Sequence, residues 1–298
     1  MPHFALDDGD RQAGIAGLRA ALPDDVLAWV SAQLEVAVLS RHWCVLAPVH
    51  AALLTEPDES GAVLSYATSL SGLARSVNGA RAWVAPPSRA VIVTDPGPST
   101  MGAAWMSGAE YTALAMSSSS VTVLQGPDAA QGPVTDAVKS SPDVFHYGGP
   151  ADYLGLLLPY DTALTASVVR HLPSGPSRVA VLAGGPTAFL DLNRGRETMV
   201  SAFSALGCPA VIGCLWQTDD LADSLLVDAF YRDAIATNWA SPPASLQRAA
   251  HWLRTATRTQ CATRLTELYG DGRSISPPDS PLPYAAPRHW AGYICLGA

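Results

Sequence analysis

Five short apolar runs, separated by helical patterns, constrain the fold of this 298-residue chain most strongly. They span residues 90–94, 121–125, 143–147, 178–182 and 210–216, and a sixth run spans 291–296. Each is nearly continuous in apolar residues, which is typical of strands buried on both faces. Helical patterns lie at 25–39, 103–116, 131–139, 164–171, 195–206, 220–236 and 243–269. This alternation predicts an α/β fold with a mainly parallel sheet flanked by helices on both faces.

Charge and hydropathy limit the partners of the chain. Its formal net charge of −8 disfavours binding to the phosphate backbone of nucleic acids. The first residues resemble no signal peptide, and no apolar run reaches transmembrane length. The five cysteines are scattered, so we expect reduced thiols. The sequence thus predicts a cytoplasmic protein that binds neither nucleic acid nor membrane.

The carboxyl ends of the five runs are the expected ligand-binding edge of such a sheet. They lie at residues 94–97, 125–127, 146–150, 183–186 and 215–220, and glycine and proline are concentrated at four of them. Two interpretations remain open at this point. Either these turns are simply tight, or the backbone there approaches a ligand closely.

Five segments occur in an order that is typical of one protein family. They are 64–70 (LSYATSL), 91–96 (VIVTDP), 123–129 (VLQGPDA), 213–220 (GCLWQTDD) and 289–297 (HWAGYICLG). The ordered set resembles the CHAT domain family, which has the caspase- and separase-like cysteine protease fold. The resemblance implies a CHAT-like domain over residues 41–298. Residues 1–40 are then an N-terminal extension with one helix.

The resemblance also indicates where the catalytic histidine and cysteine of the family would lie. His146 takes the position of a structural histidine, and Pro150 falls where the catalytic histidine belongs. Gly185 falls where the nucleophilic cysteine belongs. Thiol catalysis needs a thiolate and a nearby imidazole, and glycine and proline supply neither. The sequence therefore predicts no catalytic dyad.

A ligand-binding cleft is nevertheless predicted at the same sheet edge. Its expected residues are His146, Tyr147, Gly148, Gly149, Gly184, Trp216, Asp219 and Asp220. The resemblance implies that acidic residues near Trp216 receive a basic side chain, held by charge and by cation–π attraction. The alternative is that Asp219 or Asp220 caps helix 220–236, and both roles are compatible.

Four other patterns have an ordinary structural interpretation. Asp219, Asp220 and Asp223 have the DDxxD spacing of a magnesium–diphosphate site, but no second metal motif accompanies them. Cys214 lies in an apolar run, where cysteine is most often inert. His146 fits a structural histidine better than a proton donor. The arginines of helix 243–269 fit a solvated face better than a docking surface. We therefore expect no metal and no cofactor.

Two functions follow as hypotheses. In the first, the chain is a pseudoprotease that binds an unidentified protein partner or a small cationic or peptidic ligand. In the second, it is a repurposed non-proteolytic enzyme, such as a cyclase or isomerase. Glycine and proline would then widen the former protease cleft for a small metabolite.

Overall fold

The computed structural model describes residues 8–33, 35–39, 49–53, 63–82, 85–95, 111–152, 155–173, 177–188, 197–270 and 275–298. The helices within these ranges are α1 (Asp8–Ala21), α2 (Asp24–Ser31), α3 (Val49–Leu53), α4 (Leu70–Arg81), α5 (Thr112–Ser117), α6 (Gln131–Lys139), α7 (Ala166–Arg170), α8 (Met199–Leu206), α9 (Asp220–Ala236), α10 (Pro242–Thr255), α11 (Arg258–Tyr269) and α12 (Pro287–Trp290). The strands are β1 (Glu35–Leu39), β2 (Val63–Ala67), β3 (Arg89–Thr94), β4 (Ser120–Gln125), β5 (Val144–Gly148), β6 (Ala151–Asp152), β7 (Gly155–Leu158), β8 (Thr162–Leu164), β9 (Val179–Ala183), β10 (Ala210–Cys214) and β11 (Tyr293–Gly297).

An eight-stranded sheet organises the molecule, in the order β1-β2-β11-β10-β9-β5-β3-β4. Every neighbouring pair is parallel except β10 and β11. The carboxyl ends of β3, β4, β5, β9 and β10 therefore share one edge of the sheet. The prediction of a mainly parallel sheet is confirmed.

Side chains alternate between two helical layers, because successive residues of a strand point to opposite faces. Ile92 and Val181 belong to a core that includes Leu225 of α9. Val93 and Leu182 belong to a second core that includes Phe203 of α8. Both faces of the sheet are thus covered by helices, as predicted.

The helix predicted at 25–39 is wrong in its second half. Helix α2 ends at Ser31, and residues 35–39 form the edge strand β1, which pairs in parallel with β2. The segment EVAVL is short and rich in valine, so pairing with β2 outweighs its weak helical pattern. Residues 1–40 also contain α1, so the described part of this segment holds two helices. The domain division at residue 40 stays a prediction.

The single helix predicted over 243–269 is wrong as well, because α10 and α11 are separate. Thr257 caps α11 by accepting from Gln260 N, while the Gln260 side chain bonds back to Thr257 N. This Thr-x-x-Gln capping box marks a helix start and was readable from the sequence.

The predicted helix 103–116 falls largely outside the described residues. None of the described helices combines the length and the apolar character that a bilayer crossing needs.

A small antiparallel sheet, β6-β7-β8, follows β5 and was not predicted. The turn between β7 and β8 has left-handed backbone at both central residues, with φ of 62° at Tyr160 and 55° at Asp161. Thr162 N donates to the carbonyl of Pro159 across the turn. Hairpin turns of this kind favour Asn-Gly, because other side chains strain the left-handed region.

We predict that the double substitution Tyr160→Asn, Asp161→Gly raises the free energy of unfolding by about 1 kcal/mol, because it relieves this backbone strain. Urea denaturation measures the change. Tyr160→Ala is the control, since it removes the same exposed ring without a preference for left-handed backbone. An equal gain in the control would contradict the strain argument.

Candidate functional site

The ends of β5 and β9 meet at the edge where the catalytic positions were predicted. Gly148 is paired with Ala183 across the two strands, and Gly149 N donates to Ala183 O over 3.4 Å. Gly184 and Gly185 follow with φ of +100° and +104°, a region that side chains rarely adopt. The two turns are therefore in direct main-chain contact.

No room exists for a side chain at Gly184 or Gly185. A Cβ at Gly184 would lie 2.1 Å from the carbonyl oxygen of Gly149. A Cβ at Gly185 would lie 2.6 Å from the carbonyl oxygen of Ala151, the first residue of β6. Because the obstructing atoms are main chain, they cannot rotate away. A cysteine at Gly185 is incompatible with this backbone.

The Pro150 turn is fixed by Tyr147, which lies in the same core as Ala151 and Leu156. The buried Tyr147 hydroxyl lies within hydrogen-bond distance of two carbonyl oxygens, Pro150 O at 2.6 Å and Leu157 O at 2.7 Å, which share its proton as acceptors. Leu157 N also donates to Pro150 O at 3.0 Å. Burial, with a smaller effect from Asp152, raises the pKa of Tyr147 well above its usual value. The structure thus gives Tyr147 the contacts of a residue that holds β7 against β5.

His146 is fully buried on the opposite face of β5. Its Nδ1 atom lies 2.8 Å from the hydroxyl of Tyr231 on α9, and its ring also contacts that of Tyr111. Ile92 and Val181 flank it on the neighbouring strands. The structure therefore places His146 beneath α9 and not beside Gly185.

The segment from Trp216 to Asp220 connects β10 to α9. Asp219 is the N-cap of α9, and its Oδ1 atom accepts from Leu221 N and Ala222 N at 3.1 Å each. Asp220 begins the helix, and both carboxylates are exposed. The half-buried Trp216 donates its indole N–H to Arg288 O at 3.0 Å. The capping bonds of Asp219 use its Oδ1 atom, and the residue as a whole is exposed.

Asp223 points away from the other two aspartates into the protein. The Thr218 hydroxyl donates to it, and Tyr293 lies close enough to counteract part of the rise in its pKa. Burial raises the pKa of Asp223 to about 7, and the charges of Asp220 and Asp219 add to this effect. The DDxxD pattern therefore does not present three carboxylates to one ion. The described ranges contain no cluster of three or more potential metal ligands.

Cys214 lies just before this segment and is fully buried. Its Sγ atom donates to Trp216 O at 2.9 Å. Burial, with a further contribution from Asp223, raises the pKa of its thiol. A buried thiol that resists ionisation is a poor nucleophile.

Two further residues near Asp219 were not predicted. The buried rings of Tyr284 and His289 make an edge-on contact at 5.2 Å, and the charge of Asp219 acts on both. Burial and the neighbouring Arg288 lower the pKa of His289 to about 4. The Tyr284 hydroxyl and His289 Nδ1 make no hydrogen bond among the described atoms. Tyr284 lies in a proline-rich loop, which carries no recognisable sequence signal.

The residues at this sheet edge fall into two groups, to which His146 and Tyr147 do not belong. The first, the glycine turns, comprises Gly148, Gly149, Pro150, Gly184 and Gly185. The second, the acid cluster, comprises Trp216, Asp219, Asp220, Asp223, Tyr284 and His289. Thr187 fixes β9 to β10 between them, since its hydroxyl donates to Leu182 O and accepts from Cys214 N, both at 3.0 Å.

The arginines predicted on one helical face are divided between α10 and α11. Arg248 pairs with Asp233 and Arg264 pairs with the buried Asp228, while Arg254 lies over the Trp290 ring at 5.3 Å. A cavity of about 430 Å³ opens on α11, lined by Arg258, Thr259, Ala262, Thr263, Thr266 and Glu267. None of these residues was predicted as a site residue.

Residues 18–298 match the model of one protein family, described as CHAT domain. The chain belongs to the CHAT domain family. A search of the curated proteins finds no match.

Solved structures with the same fold are caspase-like cysteine proteases. The CHAT domain resembles the Arg-specific cysteine proteinase gingipain R, RgpB, with a TM-score of 0.57 and 8% identity, over 97% of this chain and 74% of that chain. Porphyromonas gingivalis RgpB, in a complex of its pro- and mature domains, gives a TM-score of 0.58 at 8% identity. The match covers 96% of this chain and 70% of that chain. Saccharomyces cerevisiae separase, in complex with securin, gives a TM-score of 0.50 at 14% identity. The match covers 85% of this chain and 14% of that chain. At these identities the likeness shows the fold alone.

We predict that Gly185→Ala destabilises the CHAT domain by about 3 kcal/mol, because the new methyl group meets the Ala151 carbonyl. Gly126→Ala is the matched control, since Gly126 also has a positive φ of 52° but nothing within 4 Å of a Cβ. We expect the control to lose only about 1 kcal/mol. Chemical denaturation of both variants measures the difference, and equal losses would contradict the close approach of β6.

The pKa of Asp223 predicts a specific dependence of stability on pH. The folded state holds the Asp223 proton up to about pH 7, whereas the unfolded chain releases it near the usual value of 3.8. The contribution of Asp223 to the free energy of unfolding is therefore fully present below pH 4 and is lost as the pH rises towards 7. Asp223→Asn should remove this loss in denaturation curves recorded across that range. Asp220→Asn, an exposed neighbour whose charge makes only a smaller contribution to the raised pKa, should retain most of it. The same slope in all three proteins would exclude Asp223 as its source.

Proposed function

We propose that this CHAT domain does not hydrolyse peptides and instead binds a protein or peptide segment that carries a basic side chain. The observation that supports this most is the 2.6 Å separation between a Cβ at Gly185 and the Ala151 carbonyl oxygen. The backbone occupies the space that a nucleophilic side chain at this position would need. The packing of β6 against the turn after β9 therefore leaves no space for a nucleophilic side chain at Gly185.

The other thiols in the described ranges offer no substitute nucleophile. Cys208, Cys214, Cys261 and Cys295 are all buried, and burial raises the pKa of each. His50, like His146 and His289, is buried, and burial lowers its pKa to about 4. A thiolate–imidazolium pair needs the opposite shifts.

The acid cluster supports binding of a cation. Asp219 and Asp220 are exposed at the end of β10, and the capping bonds of Asp219 use only its Oδ1 atom. The Trp216 indole lies in the same segment, and aromatic faces attract guanidinium and ammonium groups. The net charge of −8 adds a favourable long-range field.

An extended ligand fits this cluster better than a small free cation. The N-terminus of α9 carries a partial positive charge, which offsets part of the attraction of the two carboxylates. Exposed ion pairs contribute only about 0–1 kcal/mol in any case. Specific binding therefore requires contacts on both sides of the basic side chain, as a peptide provides.

The alternative of a repurposed enzyme loses its main argument. That hypothesis requires glycine and proline to widen the former protease cleft. The space beside Gly184 and Gly185 is instead filled by the backbone of residues 149 and 151. A widened cleft between these two turns is therefore not supported.

The proposal predicts that the acid cluster controls peptide binding. Fluorescence anisotropy with labelled peptides that carry one central arginine, in varied apolar contexts, measures the affinity. We expect Asp219→Asn with Asp220→Asn to weaken binding about tenfold or more, since both charges are lost while asparagine preserves the cap. Replacing the arginine by citrulline should weaken binding by a similar factor.

The control is Asp24→Asn with Asp25→Asn, which removes two exposed charges from the first turn of α2. Its net charge change is identical, so a general field effect would weaken binding equally in both double variants. Equal weakening would contradict a local site. Failure of all arginine peptides to bind the wild-type protein would overturn the proposal.

A further inference from the structure

Strand β4 forms one edge of the eight-stranded sheet, and no described strand pairs with its outer side. Edge strands are usually protected from further pairing by charged side chains, by proline or by a bulge. The six residues of β4 read SVTVLQ and include no charge and no proline. Its register with β3 is uninterrupted from Ser120 to Gln125. This edge therefore lacks the usual features that prevent association.

The exposure of β4 is unusual for a strand beside a core. Val123 is 44% exposed, and Met116, at the end of the preceding helix, is 84% exposed. The opposite edge strand, β1, has similarly exposed Leu39 at 44% but begins with the charged Glu35. Of the two edges, β4 is thus the uncharged one.

The direction of the β4 peptide groups follows from its pairing with β3. Ser120 N donates to Ser88 O at 3.0 Å. Because the peptide groups of a strand alternate in direction, those of Ser120, Thr122 and Leu124 face β3. The N–H and C=O groups of Val121, Val123 and Gln125 then point away from the sheet. They form a regular row of donors and acceptors.

We propose that β4 pairs with the β4 strand of a second copy, antiparallel about a two-fold axis. In the register centred on Thr122, Val121 of each copy lies opposite Val123 of the other. These valines exchange main-chain hydrogen bonds, while Thr122 faces its own symmetry mate. Valine and threonine pairs of this kind stabilise antiparallel strands. The two sheets become one continuous sheet with its helical layers in register.

A second copy suits this edge better than a different partner. A two-fold axis brings each residue near its own mate, so charges on the strand would meet like charges. The neutral sequence of β4 avoids this repulsion. A basic peptide, the ligand proposed for the acid cluster, would find no carboxylate on β4. This inference is thus independent of the proposed function.

The expected dimer is weak. Pairing of two six-residue strands falls below the roughly 1,200–2,000 Å² that stable interfaces bury. Each copy also carries a net charge of −8, so the copies repel each other at long range. We therefore expect dissociation in the micromolar range and tighter association at higher salt.

Sedimentation equilibrium of the full chain from about 1 to 200 µM tests the pairing. The wild-type protein should show a reversible monomer–dimer equilibrium. Val123→Lys places two ammonium groups near the axis, and Val123→Pro removes an outward N–H group without disturbing the bonds to β3. Both variants should remain monomeric, with unchanged circular dichroism. Leu39→Lys, an equally exposed position on the other edge, should dimerise like the wild type.

Amide hydrogen exchange supplies a local readout. Val121 and Val123 should exchange more slowly as protein concentration rises, whereas Leu39 should not change. A wild-type protein that stays monomeric up to the highest concentration overturns the proposal. The proposal is also overturned if the wild type dimerises, the Leu39→Lys variant is monomeric and both Val123 variants still dimerise.

Discussion

Main-chain packing between the ends of β5 and β9 is the constraint on which the rest of the site depends. Gly149 and Ala151 place their carbonyl oxygens where side chains of Gly184 and Gly185 would be. Both glycines adopt backbone that only glycine tolerates well, and Tyr147 fixes the facing turn through Pro150 and Leu157. The region that resembles the catalytic centre of CHAT proteases is therefore a packed backbone junction.

The acid cluster lies beyond this junction and is held by the same framework. Thr187 follows the glycine turn and bonds to both Leu182 and Cys214, so the end of β10 has a fixed position relative to β9. From there Asp219 caps α9 while Asp223 is buried beside Thr218. One short segment thus supplies a helix cap, a buried carboxyl group with a raised pKa and an exposed pair of charges. This division is compatible with the binding that we propose for Asp219 and Asp220.

The sequence predicted the parallel sheet and helices α6 and α9 well, because long apolar periodicity determines them. It failed at β1, because residues 35–39 continue the helical pattern of α2 and only pairing with β2 decides their conformation. The resemblance pointed to Gly185 and Pro150, and that assignment stays a prediction. The obstruction by Ala151 depends on β6, which has two residues and no sequence signal. His146 was predicted in the cleft, but its contact with Tyr231 places it beneath α9. Electrostatic effects between distant segments, such as that of Asp219 on Tyr284 and His289, cannot be read from local pattern.

We propose that this member of the CHAT family does not hydrolyse peptides, because backbone atoms fill the space beside Gly185. The most direct measurement is mass spectrometry of a proteome-derived peptide mixture after prolonged incubation with the purified full chain, scored for new peptide termini. The account predicts no new termini beyond those in a buffer control. The account would be contradicted by cleavage after basic residues, provided that this cleavage persists through repurification and disappears in the double variant Asp219→Asn, Asp220→Asn.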